Sequence, residues 1–206
     1  MNLFDIKAAE WDKNPVHRKI SEAVVNKMKT AIPLNKEMTA LEYGAGTGIT
    51  SLLLGDYVRE ITLMDNSTEM IKVTNENIES AKVKNLKTLY FDLECADYLD
   101  GKFDLIFAQL VLHHVIDHEA LINRLSRLLN PGGYLAIADL YMEDGSFHGK
   151  GFTGHNGFDP EKLSGILRKD KFQNVRYSHC YTFDKNISDT ETRKFDMFLL
   201  TASHNK

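Results

Sequence analysis

Glycine recurs at alternate positions in Leu41-Glu42-Tyr43-Gly44-Ala45-Gly46-Thr47-Gly48-Ile49. That spacing lets the backbone turn tightly and lets a ligand touch bare peptide groups. A helix opening at Ile49 would add its free N–H groups to the same surface. Asp65 closes the apolar run Glu60-Ile61-Thr62-Leu63-Met64-Asp65. It lies close to the roughly 20-residue spacing at which an acid after a glycine turn reaches ribose hydroxyls in nucleotide-binding βαβ units. A helix cap is the plainer use for such an acid, but Asn66-Ser67-Thr68-Glu69 already supplies cap residues. Further on, His113, His114, His118, His148 and His155 are the side chains able to move a proton near neutral pH. His114 and His118 stand i, i+4, as a zinc pair would. The H-E-x-x-H order and a nearby cysteine pair are missing, so no metal is expected.

These residues need elements to hold them. Asn14-Pro15 reads as the cap and first position of a helix carrying Val16, Ile20, Ala23, Val24 and Met28 on one stripe. Strands are expected up to Tyr43, over Glu60–Asp65, from Leu86 to Phe91, over Phe103–Gln109 and from Tyr134 to Leu140, with helices between them. The helix from about Asp117 repeats Leu121, Ile122, Leu125, Leu128 and Leu129, and Asn130-Pro131-Gly132-Gly133 is expected to break it. Alternating strands and helices of this length predict a doubly wound, parallel α/β sheet with ligands at the carboxyl ends of its strands. After strand five, residues 142–158 form a glycine-rich loop bearing Phe147, Phe152 and Phe158 as well as His148 and His155. It is expected to be a mobile wall or lid over an acceptor. Asp159-Pro160 then opens a helix to about Lys169, and Phe172–Phe183 and Lys194–Ser203 close the chain as strands, with His204 in a tail.

Composition narrows the function. The chain has 206 residues, 43% of them hydrophobic, which suits one domain with a full core. Its formal net charge of -4 shows no basic excess, so nucleic acid is not an expected partner. Cys95 and Cys180 cannot build a disulfide framework and point to a reducing compartment. No apolar run reaches the roughly 20 residues of a membrane span, and Met1-Asn2-Leu3-Phe4-Asp5 lacks the shape of a signal peptide. A cytoplasmic location is therefore expected.

The glycine turn and the acid before it resemble motif I of the class I S-adenosylmethionine-dependent methyltransferases, (V/L)-(L/D/E)-x-G-x-G-x-G. Leu128-Leu129-Asn130-Pro131-Gly132-Gly133-Tyr134-Leu135 resembles the L-(L/K)-P-G-G-x-(L/F) turn of that family, displaced by Asn130. Trp11-Asp12 loosely fits its (Y/W)-D pair. The resemblance covers approximately Phe4 to Leu140 and, in outline, the rest. It implies a Rossmann-like, mostly parallel seven-stranded sheet with an antiparallel last strand. One methyltransferase domain over 1–206 would divide into an N-terminal helical lid (1–35), a cofactor-binding core (36–140) and an acceptor-side loop, helix and hairpin (141–206). S-adenosylmethionine is the implied cofactor and S-adenosylhomocysteine the product. Gly44, Ala45, Gly46, Thr47 and Gly48 would curl around the methionine moiety near Trp11, while Asp65 holds the ribose. The Asp92 side chain and the Leu93 backbone would meet the adenine, and His114 would pack beneath the cofactor. Glu42, Asn66 and Gln109 complete the implied contact set.

The region after strand four bears on the acceptor. Ala108-Gln109-Leu110-Val111 is not the (N/D/S)-P-P-(Y/F) of enzymes that methylate nucleic-acid bases or protein glutamine, and no paired-glutamate loop of the arginine methyltransferases is present. Leu112-His113-His114 is closest in pattern to the ubiquinone- and menaquinone-biosynthesis type, which implies a small-molecule acceptor. His113, His148 and His155 are the candidate bases for an acidic acceptor hydroxyl or thiol. Two other readings stay open. A nicotinamide-dependent oxidoreductase would use the same turn with Asp65, and Tyr98-Leu99-Asp100-Gly101-Lys102 has the Y-x-x-x-K spacing of short-chain dehydrogenases. A non-catalytic S-adenosylmethionine-binding protein would keep the pocket without an acceptor site. Oligomeric state is not legible in the sequence.

Overall fold

The structure is a computed structural model that describes residues 3–205. Two helices come first, α1 (Leu3–Trp11) and α2 (Pro15–Ala31). The Asn14 side chain accepts the Val16 N–H and Pro15 occupies the first turn, as the sequence predicts. There follow β1 (Thr39–Tyr43), α3 (Ile49–Leu54), β2 (Glu60–Asp65), α4 (Thr68–Ala81), β3 (Leu86–Tyr90), β4 (Phe103–Gln109), α5 (His118–Leu128) and β5 (Leu129–Leu140). The chain closes with α6 (Pro160–Lys169), β6 (Phe172–Asn186) and β7 (Thr192–His204). Ser67, Asp117 and Asp159 cap α4, α5 and α6 through side-chain oxygens.

The seven strands form one sheet in the order β3-β2-β1-β4-β5-β7-β6. The first five run parallel, and β7 joins β5 antiparallel with β6 outside it. Order reverses between β1 and β4, so the crevice at their carboxyl ends is where a doubly wound sheet receives its ligand. Side chains alternate across the sheet with period two. Leu41, Ile106, Leu135 and Ile137 face the core under α5 and α6, whereas Ala40, Leu105, Phe107, Ala136 and Ala138 face the core under α2 and α3. Each fully buried large side chain contributes roughly 1.5–3 kcal/mol. Such burial on both faces makes the centre of the sheet the rigid floor of the site.

Three expectations need correction. α5 ends at Leu128, just before Asn130-Pro131-Gly132-Gly133, as expected, but β5 begins at Leu129 and not at Tyr134. Pairing passes from Phe103↔Leu129 directly to Leu105↔Tyr134, so the breaker residues bulge out of a ladder they do not end. α1 is a helix the sequence did not announce, because its apolar residues gather on no single stripe. His204, expected in a tail, is paired in β7 opposite Phe172. Among the described residues no helix is long and apolar enough to cross a membrane.

Candidate active site

β1 delivers the chain to the glycine turn at the point where strand order reverses. Gly44 has φ 67°, and a Cβ there would lie 2.5 and 2.7 Å from the Val111 methyls, so the turn after β4 requires its absence. Gly46 has φ 55° and nothing within 4 Å of the Cβ position, which leaves bare peptide facing open space. Gly48 differs from both. It lies away from the cavity lining, and a Cβ would meet Thr74 of α4 and Leu63 of β2, so its smallness serves helix-to-sheet packing.

Asp65, at the carboxyl end of β2, braces the turn: its Oδ2 accepts the Gly46 N–H at 2.8 Å and its Oδ1 the Ser67 N–H at 2.9 Å. The Asn66 backbone N–H also reaches this carboxylate, which still has lone-pair capacity to spare. Burial pushes this carboxyl above its ordinary range, with the Gly46 and Ser67 amides opposing the rise. Glu42, the next-to-last residue of β1, is 2% exposed and takes a hydrogen bond from the Ser51 hydroxyl. Its burial pushes the carboxyl up to about 8. Gln109, at the end of β4, is held from above: its amide donates to Ser21 of α2 at 3.0 Å and its carbonyl accepts from Thr50 of α3 at 3.1 Å.

One cavity of about 1220 Å³ joins these groups. Of the residues singled out in the sequence, Trp11, Glu42, Gly44, Ala45, Gly46, Thr47, Asp65, Asn66, Asp92, Gln109, His113, His114 and His148 line it. Gly48, Leu93 and His155 do not. The Leu93 side chain lies in the core under α5, and its carbonyl accepts from Arg124 at 2.8 Å. Asp92 turns its own loop, its Oδ1 accepting the Glu94 N–H at 2.9 Å, and Asn66 reaches its Oδ2 at 3.4 Å.

The roof comes from both ends of the chain. At the α1–α2 junction Trp11 stacks on His17, with ring centroids 4.4 Å apart. The adjacent Asp12 accepts from the Thr47 hydroxyl and, at 2.8 Å, from the Asn77 amide, so the α1–α2 junction is latched to the glycine turn and to α4. Opposite stands the 142–158 segment, whose neck is zipped by Met142 N–H to Phe158 O at 2.9 Å and Glu143 N–H to Asn156 O at 2.9 Å. Its aromatic tip meets the closing hairpin, where the Lys185 ammonium sits 3.6 Å from the Phe147 ring centroid and donates to the Phe147 carbonyl.

Histidines mark the end of the cavity beneath this tip. Leu110 takes φ 54°, an uncommon conformation for a side chain of its size, and the chain then turns through Leu112–His114. His113 is buried, and its Nδ1 lies 2.7 Å from Asp139 Oδ1. A carboxylate only accepts, so Nδ1 donates. Asp139, inside apolar β5, went unremarked in the sequence, although an acid within a run buried on both faces is itself a signal. His114 and His148 pack beside His113, with ring centroids 4.2 and 5.0 Å from it. His155, the third candidate base, is turned elsewhere: its Nε2 lies 3.0 Å from Val115 O and 3.2 Å from Ile116 O, and its ring packs edge-on against His118. His118, paired with His114 in the sequence, therefore stands with His155 and not in the cavity lining.

The dehydrogenase reading finds no support. Tyr98 and Lys102 lie in an irregular segment, not on a helix, and line a separate hollow of about 250 Å³ with Arg124 and Leu128.

Comparison with known proteins agrees with this arrangement. A family model described as a methyltransferase domain matches residues 41–137, which runs from the glycine turn into β5. An uncharacterized methyltransferase of Staphylococcus carnosus is 30% identical over 198 residues, spanning 92% of this chain and 86% of that protein. An uncharacterized methyltransferase of Schizosaccharomyces pombe is 29% identical over 155 residues, 67% of this chain, and the chain spans only 54% of its length. The chain likewise spans less than half of an uncharacterized Bacillus subtilis methyltransferase, 43% of its length. Among solved structures, the N-methyltransferase NodS of Bradyrhizobium japonicum, crystallised with S-adenosylhomocysteine, superposes with a TM-score of 0.71 at 18% identity over 96% of this chain and 91% of that one. The glycine turn, the braced acid after β2 and the sheet order thus have one common explanation: the chain belongs to the class I S-adenosylmethionine-dependent methyltransferases.

Proposed function

We propose that this chain methylates a small-molecule acceptor, which enters between the histidine cluster and the aromatic tip of the 142–158 segment. The observation that carries the reading is the extent of the cavity, about 1220 Å³ from Asp65 and Asp92 at one end to His113 and Phe152 at the other. A pocket for one drug-sized ligand occupies roughly 300–1,000 Å³, so there is room for a cofactor and a second molecule together. S-adenosylmethionine bound there supplies a methyl group on a sulfonium sulfur, already electrophilic, with S-adenosylhomocysteine as the product.

The protein's share of the work is positioning and exclusion of water. The open face at Gly46 and the spare lone pairs of Asp65 fit an adenosyl group carrying a diol. Trp11 and the Asp12 latch close one side; Phe147, Phe152 and Lys185 close the other. The acceptor end is mainly aromatic and imidazole, a surface suited to an apolar or aromatic molecule rather than to a polyanion. Two of the three candidate bases, His113 and His148, reach it.

Thermal-shift titration with S-adenosylmethionine, S-adenosylhomocysteine and NAD tests the cofactor end. At about 100 times Kd a true ligand adds about 2.7 kcal/mol, which for a chain of this size raises Tm by roughly 5–10 °C. The two adenosyl compounds should do so and NAD should not. A shift with NAD alone would overturn the reading. A panel of phenolic, thiol and amine small molecules, scored for S-adenosylhomocysteine formation, then tests the acceptor end.

A further inference from the structure

Three imidazoles converge at the acceptor end. His113 and His114 come from the turn after β4 and His148 from the 142–158 segment, and their ligating nitrogens all lie within 4.8 Å of one another. His113 is the fixed member. Asp139 holds its Nδ1 at 2.7 Å and its backbone N–H at 3.2 Å. The His155 N–H donates to the His113 carbonyl at 2.7 Å, a close approach possible because Gly154 has no Cβ to strike that oxygen.

This anchoring leaves His113 Nε2 buried, with no hydrogen-bond partner among the described residues. The residue is 1% exposed. A buried acceptor without a partner costs about 1–3 kcal/mol, so such atoms call for an occupant. A histidine whose other nitrogen is bound by a carboxylate is the arrangement that orients a metal ligand and fixes its tautomer.

We propose that His113, His114 and His148 bind one divalent transition-metal ion, zinc or a close relative, with a coordination position left open to the acceptor cavity. Three imidazoles plus an exchangeable fourth ligand is a donor set zinc takes in catalytic sites. A single proton-accepting histidine would need Asp139 and His113 but neither neighbour. Crowding two further rings against it would bring like charges together as soon as the cluster took up protons. A cation shared among lone pairs turns that crowding into attraction.

The geometry needs a small closure. Ligand nitrogens around tetrahedral zinc, each at about 2.0–2.1 Å, stand about 3.3 Å apart. His148 is the member placed to move, since its segment is flanked by Gly145 at φ 88° and Gly149 at φ 79°. Ion binding itself requires nothing of methyl transfer. That the open position takes an oxygen or sulfur atom of the acceptor rests on the function proposed above.

The chain, stripped with chelator and dialysed, should be titrated with zinc chloride by calorimetry and with cobalt chloride by visible absorption. One equivalent of each ion is expected, with cobalt giving the intense d–d bands of a four- or five-coordinate site. His148→Ala and His114→Ala should each weaken zinc binding at least tenfold, and Asp139→Asn by about tenfold. Circular-dichroism melting of the same samples reports whether each variant is folded, and S-adenosylhomocysteine binding by His148→Ala reports whether the cofactor end works independently of the cluster. No zinc binding by the intact chain, or zinc binding that both histidine variants leave unchanged, would overturn the proposal.

Discussion

Burial pushes the Glu42 carboxyl from 4.5 up to about 8, with desolvation as the largest cause and the Ser51 hydroxyl opposing it. Near neutral pH this side chain is therefore mostly a neutral acid facing the cavity. Its linkage to stability runs opposite to that of a surface carboxylate. The folded state holds the proton more tightly than the unfolded state, so the contribution is complete below about pH 4.5 and is lost as pH rises through about 8. At 1.36 kcal/mol per pKa unit the loss is on the order of a few kcal/mol. Glu42→Gln, which keeps the shape of the neutral acid, should flatten the fall in Tm between pH 5 and 8 (roughly the span of the two pKa values). Parallel melting curves for the two proteins across that span would refute the assignment. At this scale the sequence was most readable where residues act through neighbours along the chain. The glycine turn and Asp65 were legible because one strand, one turn and one helix set their spacing. The bond between His113 and Asp139, and the meeting of His148 with His113 and His114, depend on which strands pair. Spacing carries no record of that.

Among the elements, strands buried on both faces were the easiest to foresee, β4 to the residue, because an uninterrupted apolar run bounded by turns has few other uses. Two element boundaries are harder to foresee. α1 lacks an apolar stripe because it lies at the rim of a cavity, partly against α4 and partly over open space. Asn130-Pro131-Gly132-Gly133 follows the end of α5 at Leu128, but β5 begins before it because Leu129 pairs with Phe103, a non-local contact that local propensity does not record. The latch from α1–α2 was visible only as a Trp-Asp pair; its partners Thr47 and Asn77 come from elsewhere in the chain. Asp12 itself is exposed, so its two hydrogen bonds contribute little to global stability, about 0.5–1.5 kcal/mol each at most. What they hold is the lid's position over the turn. Asp12→Ala should accordingly weaken S-adenosylhomocysteine binding by about tenfold, a cost of about 1.4 kcal/mol, while Tm of the ligand-free protein moves by only a few degrees. Calorimetry on Asp12→Ala and Asn77→Ala checks this; cofactor affinity unchanged in both would leave the latch without a function.

Taken whole, the molecule sets a rigid floor against a roof built from distant parts of the chain. The floor is the carboxyl edge of β1, β2, β4 and β5, whose side chains fill both cores. The roof has two halves that meet the cavity separately: α1–α2, latched at Asp12, and the 142–158 segment, tied at its neck to Phe158 and at its tip to Lys185. Opening α1 with the α1–α2 junction, or the 142–158 segment, breaks a few hydrogen bonds, whereas α2 is held to the floor by buried Ile20, Val24, Val25 and Met28, and opening the floor means unfolding. Local opening free energies should therefore be low in those two parts of the roof and close to the global value in the floor. Because the halves cover different ends of the cavity, a ligand at one end should quiet one half only. Hydrogen exchange followed by mass spectrometry can read this directly. S-adenosylhomocysteine alone should slow exchange in the glycine turn and in residues 5–20, and leave residues 145–154 as they are in the free protein. Protection of 145–154 should appear only when an acceptor or a metal ion is added. Protection of both halves by the adenosyl compound alone would mean that the roof closes as one piece, and that the acceptor must enter before the cofactor.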